Sequence, residues 1–557
     1  LWSFKNPEHE AAIAALARRK YPSLYVVASS QLVQSMGEYE RANTAAVDAY
    51  LGPTLNKYLA NIGASLNASG YAGELLVMQS IGGLAPASGL LQAAVTTLQS
   101  GPAGGVIAGQ KLGQLIGEPN VITADMGGTT FDVGIVVDGR PQTAKTSVVA
   151  RNVLLVPAVE AISIGAGGGS VAWLDSANAL HVGPQSQGAR PGPACYGRGG
   201  TLPTVTDADV VLGYINPDRF LGGGMPLRSD LAREAIKKHV AAPLDISIEA
   251  AAQAIYDIVN AHMADLVRSV TVGRGFDPRD FAILAFGGCG PTHCTGFGPD
   301  CQPRRIIVPP AATVLSALGI AQSDIKHFHT RTFVRPIDSK AGTQAQLANE
   351  LNGHFEELVA LTNQQFEGEG IPPAQRIFVR SLDIRYRNQV HELTIPVAAS
   401  GPVDEGVLIT IVDDFVRTYE RIYGAGSSIG KSGLEIATLR VDGIAKIPRS
   451  DSTVRAKRGP ASPAAAFLGR RRVWWKEFSG FRETDAFQLE KLACGNVVEG
   501  PVIVESYGTS IPLPPGQRAH VDEWLNLVIE ITPVHTLAAL QPTGATRKKR
   551  EMVKGNA

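Results

Sequence analysis

A chain of 557 residues is longer than single hydrophobic cores usually grow, so several domains are expected. With 51 basic and 51 acidic residues the formal net charge is zero, which removes any bulk electrostatic case for nucleic acid or membrane binding. No apolar run approaches the length of a membrane span, and five cysteines, an odd number, favour a reducing cytoplasm over a disulfide framework.

Residues 1–118 alternate helical and strand-like text and read as a first α/β region. Glu40 to Tyr58 carries Tyr50, Leu51 and Leu55 at near-helical spacing, with Pro53 expected to kink or restart the helix. Leu75 to Met78 reads as a strand.

The next region, 119–335, opens with the most informative stretch, Asp125-Met126-Gly127-Gly128-Thr129-Thr130-Phe131-Asp132. Apolar strand-like runs flank it, so it reads as a hairpin. Gly127 and Gly128 let backbone N–H groups approach an anion, and the hydroxyls of Thr129 and Thr130 add donors. Asp125, at a strand end, is placed to hold Mg²⁺ through water, because that ion gives up its hydration shell reluctantly. Asp132 either braces the hairpin or shares the metal. An ordinary tight turn with an acid at each end is the plain alternative.

Gly167, Gly168 and Gly169 lie in a second loop of low bulk, Ser163 to Ser170, and read as a facing phosphate loop or as a close packing contact. Gly183 to Gly200 is dense in Gly, Pro and Arg and too irregular for a simple connection. Within it Arg190 and Arg198 are candidates to neutralise a phosphorylated intermediate through forked hydrogen bonds, beside Cys195 and Tyr196. Thr206, Asp207 and Asp209 follow, as a second carboxylate site or a helix cap.

Ser247 to Val267 is the clearest helix, capped by Ser247, with Ile248, Ala252, Ile255, Val259, Met263 and Leu266 on one face. That face is expected to cover a sheet whose strand Phe281 to Phe286 ends in Gly287-Gly288. Ala311 to Ile320 reads as a short helical segment. Cys289, His293, Cys294 and Cys301 crowd into thirteen positions. Thiolates and an imidazole at short spacing suit Zn²⁺, although C-x4-C-x6-C is not a usual zinc spacing. Buried small hydrophobes around the loop, with His293 as a polar contact, are the alternative.

The region 336–557 reads as α+β. Leu347 to Phe366 suits a helix and Arg380 to Val397 a strand pair on which Asp383, Arg385, Tyr386, Gln389 and Glu392 alternate between faces. Arg449 to Arg472 reads as a basic mobile linker. Arg470 to Arg472 with Trp474-Trp475 mimics a nucleic-acid patch, and at zero net charge a linker or subunit-contact surface is preferred. Val497 to Ile531, broken by Pro512, Pro514 and Pro515, suggests a small β-rich domain, and Thr546 to Ala557 a solvated tail.

The order of hairpin, long helix, strand ending in Gly-Gly and helix resembles the second half of the ATPase fold shared by actin, sugar kinases and heat-shock chaperone ATPases. That resemblance implies an α/β nucleotide-binding fold in which adenosine lies against Gly287 and Gly288. Further motifs narrow it: Glu38-Tyr39-Glu40-Arg41-Ala42-Asn43-Thr44, Met78 to Gly83, Ser100-Gly101-Pro102-Ala103-Gly104-Gly105, Gly188 to Gly197, Thr204 to Asp209, Asp383 to Gln389, and Gly500 to Glu505. Together they are similar to the hydantoinase A/oxoprolinase family, from the first tens of residues to beyond Glu505. The family's first Asp-x-Gly-Gly-Thr hairpin has no counterpart before Asp125, and the chain opens with Leu1. The sequence therefore reads as a fragment, or as a chain whose first half of the nucleotide clamp is disordered or supplied by another polypeptide.

The resemblance implies ATP and Mg²⁺, a partner subunit of hydantoinase B type, and phosphorylation of a ketone, lactam or cyclic-imide oxygen. Cys289 and Cys294 stand where that family usually has small residues. This departure tilts the reading toward an acetone- or acetophenone-type ketone carboxylase using bicarbonate. A cyclic amide hydrolase is the main alternative. A kinase with a free small-molecule acceptor and a non-catalytic scaffold are the others.

Overall fold

The computed structural model describes residues 2–149, 151–337, 341–398, 401–429, 432–449 and 454–531. The expected tail at Thr546 to Ala557 lies outside them. No helix among the described residues is long and apolar enough to cross a membrane.

The apolar runs flanking Gly127 form strands β1 (Val121–Met126) and β2 (Phe131–Val137), paired antiparallel with Asp125 opposite Asp132. Strand β3 (Ala161–Ile164) adds to β2, and β4 (Ala282–Phe286) and β5 (Arg305–Val308) add in parallel on the other side of β1. The resulting order, β3-β2-β1-β4-β5, is the frame of a nine-stranded sheet. Every residue of β4 is buried, as parallel strands covered on both faces require.

Side-chain alternation along β1 assigns helices to the two faces. Thr123 and Asp125 share one face. There helix α1 (Ser100–Ile116) comes so close that a Cβ on Gly109 would lie 2.3 Å from the Thr123 methyl. Ala124 and Met126 share the other, under helix α4 (Gly290–Cys301), whose Phe297 packs edge-on against Phe131. Helix α3 (Ile248–Thr271) is capped by Ser247, as expected. Its apolar face rests mainly on α4 and on helix α2 (Val205–Leu212), and only in part on the sheet, at β2. A Cβ on Gly296 of α4 would meet Asn260 of α3 at 2.7 Å.

Helix Glu38–Ala68 is one element with Pro53 inside it, not two. The expected helix and strand pair of the C-terminal region are present as Ala341–Gly368 and as Arg376–Tyr386 paired with Leu393–Pro396. They belong to a six-stranded sheet with Leu76–Met78, Leu84–Pro86, Ile325–Ile337 and Leu434–Ala445. A separate core, including Leu351, Phe355, Ile384, Tyr386, Phe415 and Leu439, lies between that sheet and its helices.

Residues 467–530 depart from the expected organisation. Arg470 to Trp475 is a strand (Phe467–Trp475) paired with Gly480–Gln488, not a linker. Arg471 bonds Glu505 and the Tyr214 carbonyl, Arg470 pairs with Asp485, and Trp475 is buried on Thr484. The short strands after Val497 do not make a separate β-rich domain. Leu527–Glu530 pairs directly with β5, and Arg518–Val521 and Val497–Glu499 continue the same sheet. Pro512 is accommodated because its strand is the edge of a four-stranded sheet, where no ladder donor is needed.

Candidate functional site

The β1–β2 turn closes through Gly127 N–H donating to Thr130 O at 3.1 Å. Gly128 and Thr129 are exposed, and their N–H groups have no partner among the described residues. These are the donors an anion would meet. Asp125 receives a hydrogen bond from Ser316 Oγ at 2.8 Å, from helix α5 (Leu315–Ala321). Asp132 accepts from Thr130 Oγ1 at 3.2 Å and from Ser163 Oγ on β3. It therefore braces the hairpin.

Burial pushes the Asp125 carboxyl up to about 6, with the neighbouring Asp132 adding to the rise and the Ser316 bond opposing it. Burial raises Asp132 as well. Two desolvated carboxylates facing each other at the mouth of a turn favour a bound cation, so the residues present fit Mg²⁺. A folded-state pKa above the unfolded one gives stability that is full at low pH and is lost as pH rises through about 6. In metal-free buffer, Asp125→Asn is therefore expected to melt increasingly above the parent as pH goes from 5 to 7. Parallel thermal scans check this, and a constant or shrinking gap would contradict it.

The Gly167–Gly169 loop packs against the hairpin, the second of the two readings its sequence allowed. Its three N–H groups are all committed: Gly167 to Ser170 Oγ, Gly168 to Gly127 O, and Gly169 to Gly128 O. It is a buried support clamped to the back of the hairpin. A Cβ on Gly168 would lie 2.7 Å from both Cys289 Sγ and Thr206 Oγ1, so only glycine fits between the starts of α4 and α2.

Gly287 has φ +82° and donates to Ala312 O. A Cβ there would lie 2.4 Å from Asp125 Oδ1 and from Met126 O. Gly288 is exposed beside it. A cavity of about 220 Å³ runs from Gly128 to Gly288, with Tyr196, Thr206, Arg219 and Tyr507 in its wall. Arg219 and Arg471 both pair with the buried Glu505, at 3.1 Å each. A larger cavity of about 820 Å³ lies between residues 31–40 and the C-terminal sheet. Its Lys145 is already held by Asp383 at 2.8 Å and Glu392 at 3.0 Å, and Arg385 by Glu392 and Glu435. The smaller cavity, continuous with the hairpin, is the better candidate.

Cys289, His293, Cys294 and Cys301 do not form a zinc site. Among the described residues no group of three or more His, Cys, Asp or Glu is arranged to hold a metal ion. Helical geometry disperses the four. Cys294 Sγ bonds Pro291 O, Cys301 Sγ faces Ala264 O, and His293 points at Asp209. Sequence reasoning missed helix α4 because Gly290, Pro291, Gly296, Gly298 and Pro299 argue against one; burial on the sheet overrides propensity. Asp207 caps α2 in a reciprocal box with Thr204 and accepts the Ala194 and Cys195 N–H groups. Cys195 is buried, Tyr196 reaches the cavity, and Arg190 is exposed on the loop whose Gln187 N–H bonds Gly169 O. Arg198 lies over the Tyr196 ring. Ser316, Ser163, Arg219 and Tyr507 join the site only through the fold. Their only signal in the sequence is position within or beside the motif segments.

Residues 41–329 match the Hydantoinase/oxoprolinase family model, and 338–530 match the Hydantoinase/oxoprolinase C-terminal domain. The chain is 34% identical over 537 residues to the caprolactamase subunit alpha of Pseudomonas jessenii, covering 96% of this chain and 76% of that protein. It is 36% identical over 547 residues to the acetophenone carboxylase gamma subunit of Aromatoleum aromaticum, covering 94% and 72%. The crystal structure of the ATP-dependent caprolactamase from Pseudomonas jessenii superposes with a TM-score of 0.84 at 32% identity, over 95% of this chain and 76% of that one. The chain belongs to the hydantoinase/oxoprolinase family.

Proposed function

We propose that this member of the hydantoinase/oxoprolinase family is the nucleotide-binding subunit of a cytoplasmic, multi-subunit, ATP-dependent enzyme that activates its substrate by phosphorylation. The observation that carries the reading is the paired acids Asp125 and Asp132 beside a turn with two free N–H groups, opening into a cavity walled by Gly288. Gly128, Thr129 and Thr130 bind and orient the phosphates. Gly287 and Gly288 let adenosine lie against the backbone. Asp125 would hold Mg²⁺, which would supply neutralisation of phosphate charge when bound. Arg190 is the side chain on the neighbouring loop available to meet a phosphorylated intermediate. Such transfer is catalysed mainly by positioning and electrostatics. The γ-phosphoryl group moves to a carbonyl or enolate oxygen and ADP leaves.

The preferred substrate is a ketone of acetone or acetophenone type. Its phosphorylated enol would meet bicarbonate-derived CO₂ in a site shared with a hydantoinase B-like partner: the C=C pair forms the new C–C bond, the O–P bond breaks to restore the ketone, and the phosphoryl group passes to the hydroxide left by bicarbonate and departs as phosphate. The 36% identity to an acetophenone carboxylase subunit supports this. The 34% identity to a caprolactamase subunit supports the second reading, in which water attacks an activated lactam or cyclic imide carbon. Substrate-stimulated ADP release by the native complex decides between them. Stimulation by acetone or acetophenone only with bicarbonate is the expected result. Stimulation by hydantoin, 5-oxoproline or caprolactam without bicarbonate would move the protein to the amidohydrolases. No nucleotide turnover with any of these would favour a scaffold.

A further inference from the structure

Asp209 on α2 and His293 on α4 are buried, at 0% exposure each. His293 Nε2 lies 3.3 Å from Asp209 Oδ2, and by geometry none of the four polar atoms has a hydrogen-bond partner among the described residues. Tyr256 of α3 stacks on the His293 ring at 4.8 Å and fixes its plane, while its own hydroxyl donates to Thr292 O. A buried charge-bearing pair with so little hydrogen bonding is a poor source of stability, since well-packed apolar side chains would serve the core better. What distinguishes the pair is its address. It links the two helices whose first residues grip the hairpin's support. Thr206, three residues before Asp209, donates from N–H and Oγ1 to Gly168 O at 2.8 and 2.9 Å. Cys289, four residues before His293, donates its N–H to Met126 O at 2.9 Å and bounds the space at Gly168. Gly168 in turn donates to Gly127 O in the phosphate turn.

We propose that Asp209 and His293 are positioning residues: their contact sets the spacing of α2 and α4, and through Gly168 and Cys289 the placement of the phosphate turn against the cavity. This rests on the nucleotide reading of the site. The contact is discrete, so its loss should loosen both loops together and weaken nucleotide binding even in a folded protein.

The test compares the native complex with Asp209→Asn, His293→Gln and the double variant. A fluorescent ATP analogue gives Kd, and steady-state turnover separates KM from kcat, all well below each variant's melting temperature. His327→Gln is the control. It removes another shielded His–carboxylate contact, His327 to Glu369 at 2.8 Å, in the six-stranded-sheet unit away from the cavity. The expected result is a roughly tenfold rise in Kd and KM for each single variant, and a double variant clearly less impaired than the product of the singles, since the two act as one unit. The control should lose melting temperature with Kd unchanged. Unchanged Kd and KM in Asp209→Asn and His293→Gln, with only melting temperature lowered, would overturn the proposal. Absence of analogue binding by the parent complex would instead overturn the nucleotide reading beneath it. Should Asp209→Asn fail to fold, His293→Gln alone carries the same comparison.

Discussion

Asp125→Asn is expected to reduce substrate-stimulated ADP release by at least about 100-fold, the scale of losing a principal electrostatic group at a phosphoryl-transfer site. The side chain keeps its shape and can still accept from Ser316 Oγ, so the hairpin should remain in place. What is lost is the negative charge that holds a cation. That charge is costly in the folded protein, as the upward-shifted carboxyl shows. Activity should therefore fall while the fold becomes no less stable at neutral pH, a separation that a mutation acting through misfolding cannot produce. ADP release by the complex with each active substrate reads it. Retention of more than a tenth of parental turnover would remove Asp125 from the site.

Gly287→Ala should be strongly damaging, costing on the order of 3 kcal/mol and most of the activity. Two effects add. The φ of +82° disfavours any Cβ, and the added methyl would sit 2.4 Å from both Asp125 Oδ1 and Met126 O. Relief requires moving either the acid or the end of β1. Gly370→Ala separates the terms, because Gly370 has a similar φ of +70° with nothing within 4 Å of the added carbon. It should cost only about 1 kcal/mol and leave turnover alone. Denaturant titration of both variants, with turnover of each, reads the difference. Equal losses in the two would show that backbone strain, not the close approach to Asp125, governs position 287.

The hairpin was legible because its chemistry and its local geometry coincide. Glycines, threonines and two acids within eight residues specify both a turn and an anion site, and the flanking apolar runs specify the strands. Helix α3 was legible for the same reason, its period and its Ser247 cap being local. Helix α4 was not, since a segment with two prolines and three glycines becomes helical only when its buried face is completed by α3, β4 and the strand Ser510–Leu513. The same burial turned a suggestive Cys/His cluster into four side chains pointing at four different neighbours.

The sequence by itself determined the family, the hairpin with its paired acids, the helix capped by Ser247 and the strand that ends in Gly287 and Gly288. These depend on residues close in the chain, where spacing translates directly into geometry. Only the tertiary structure decided that Gly167 to Gly169 supports the hairpin from behind, that the strands Val497–Glu499, Arg518–Val521 and Leu527–Glu530 extend the nine-stranded sheet, that Arg471 and Arg219 meet on Glu505, and that Asp209 faces His293. Each of those is a contact between segments tens to hundreds of residues apart. Strand pairing and helix packing select such contacts from the many alternatives that local spacing leaves equivalent.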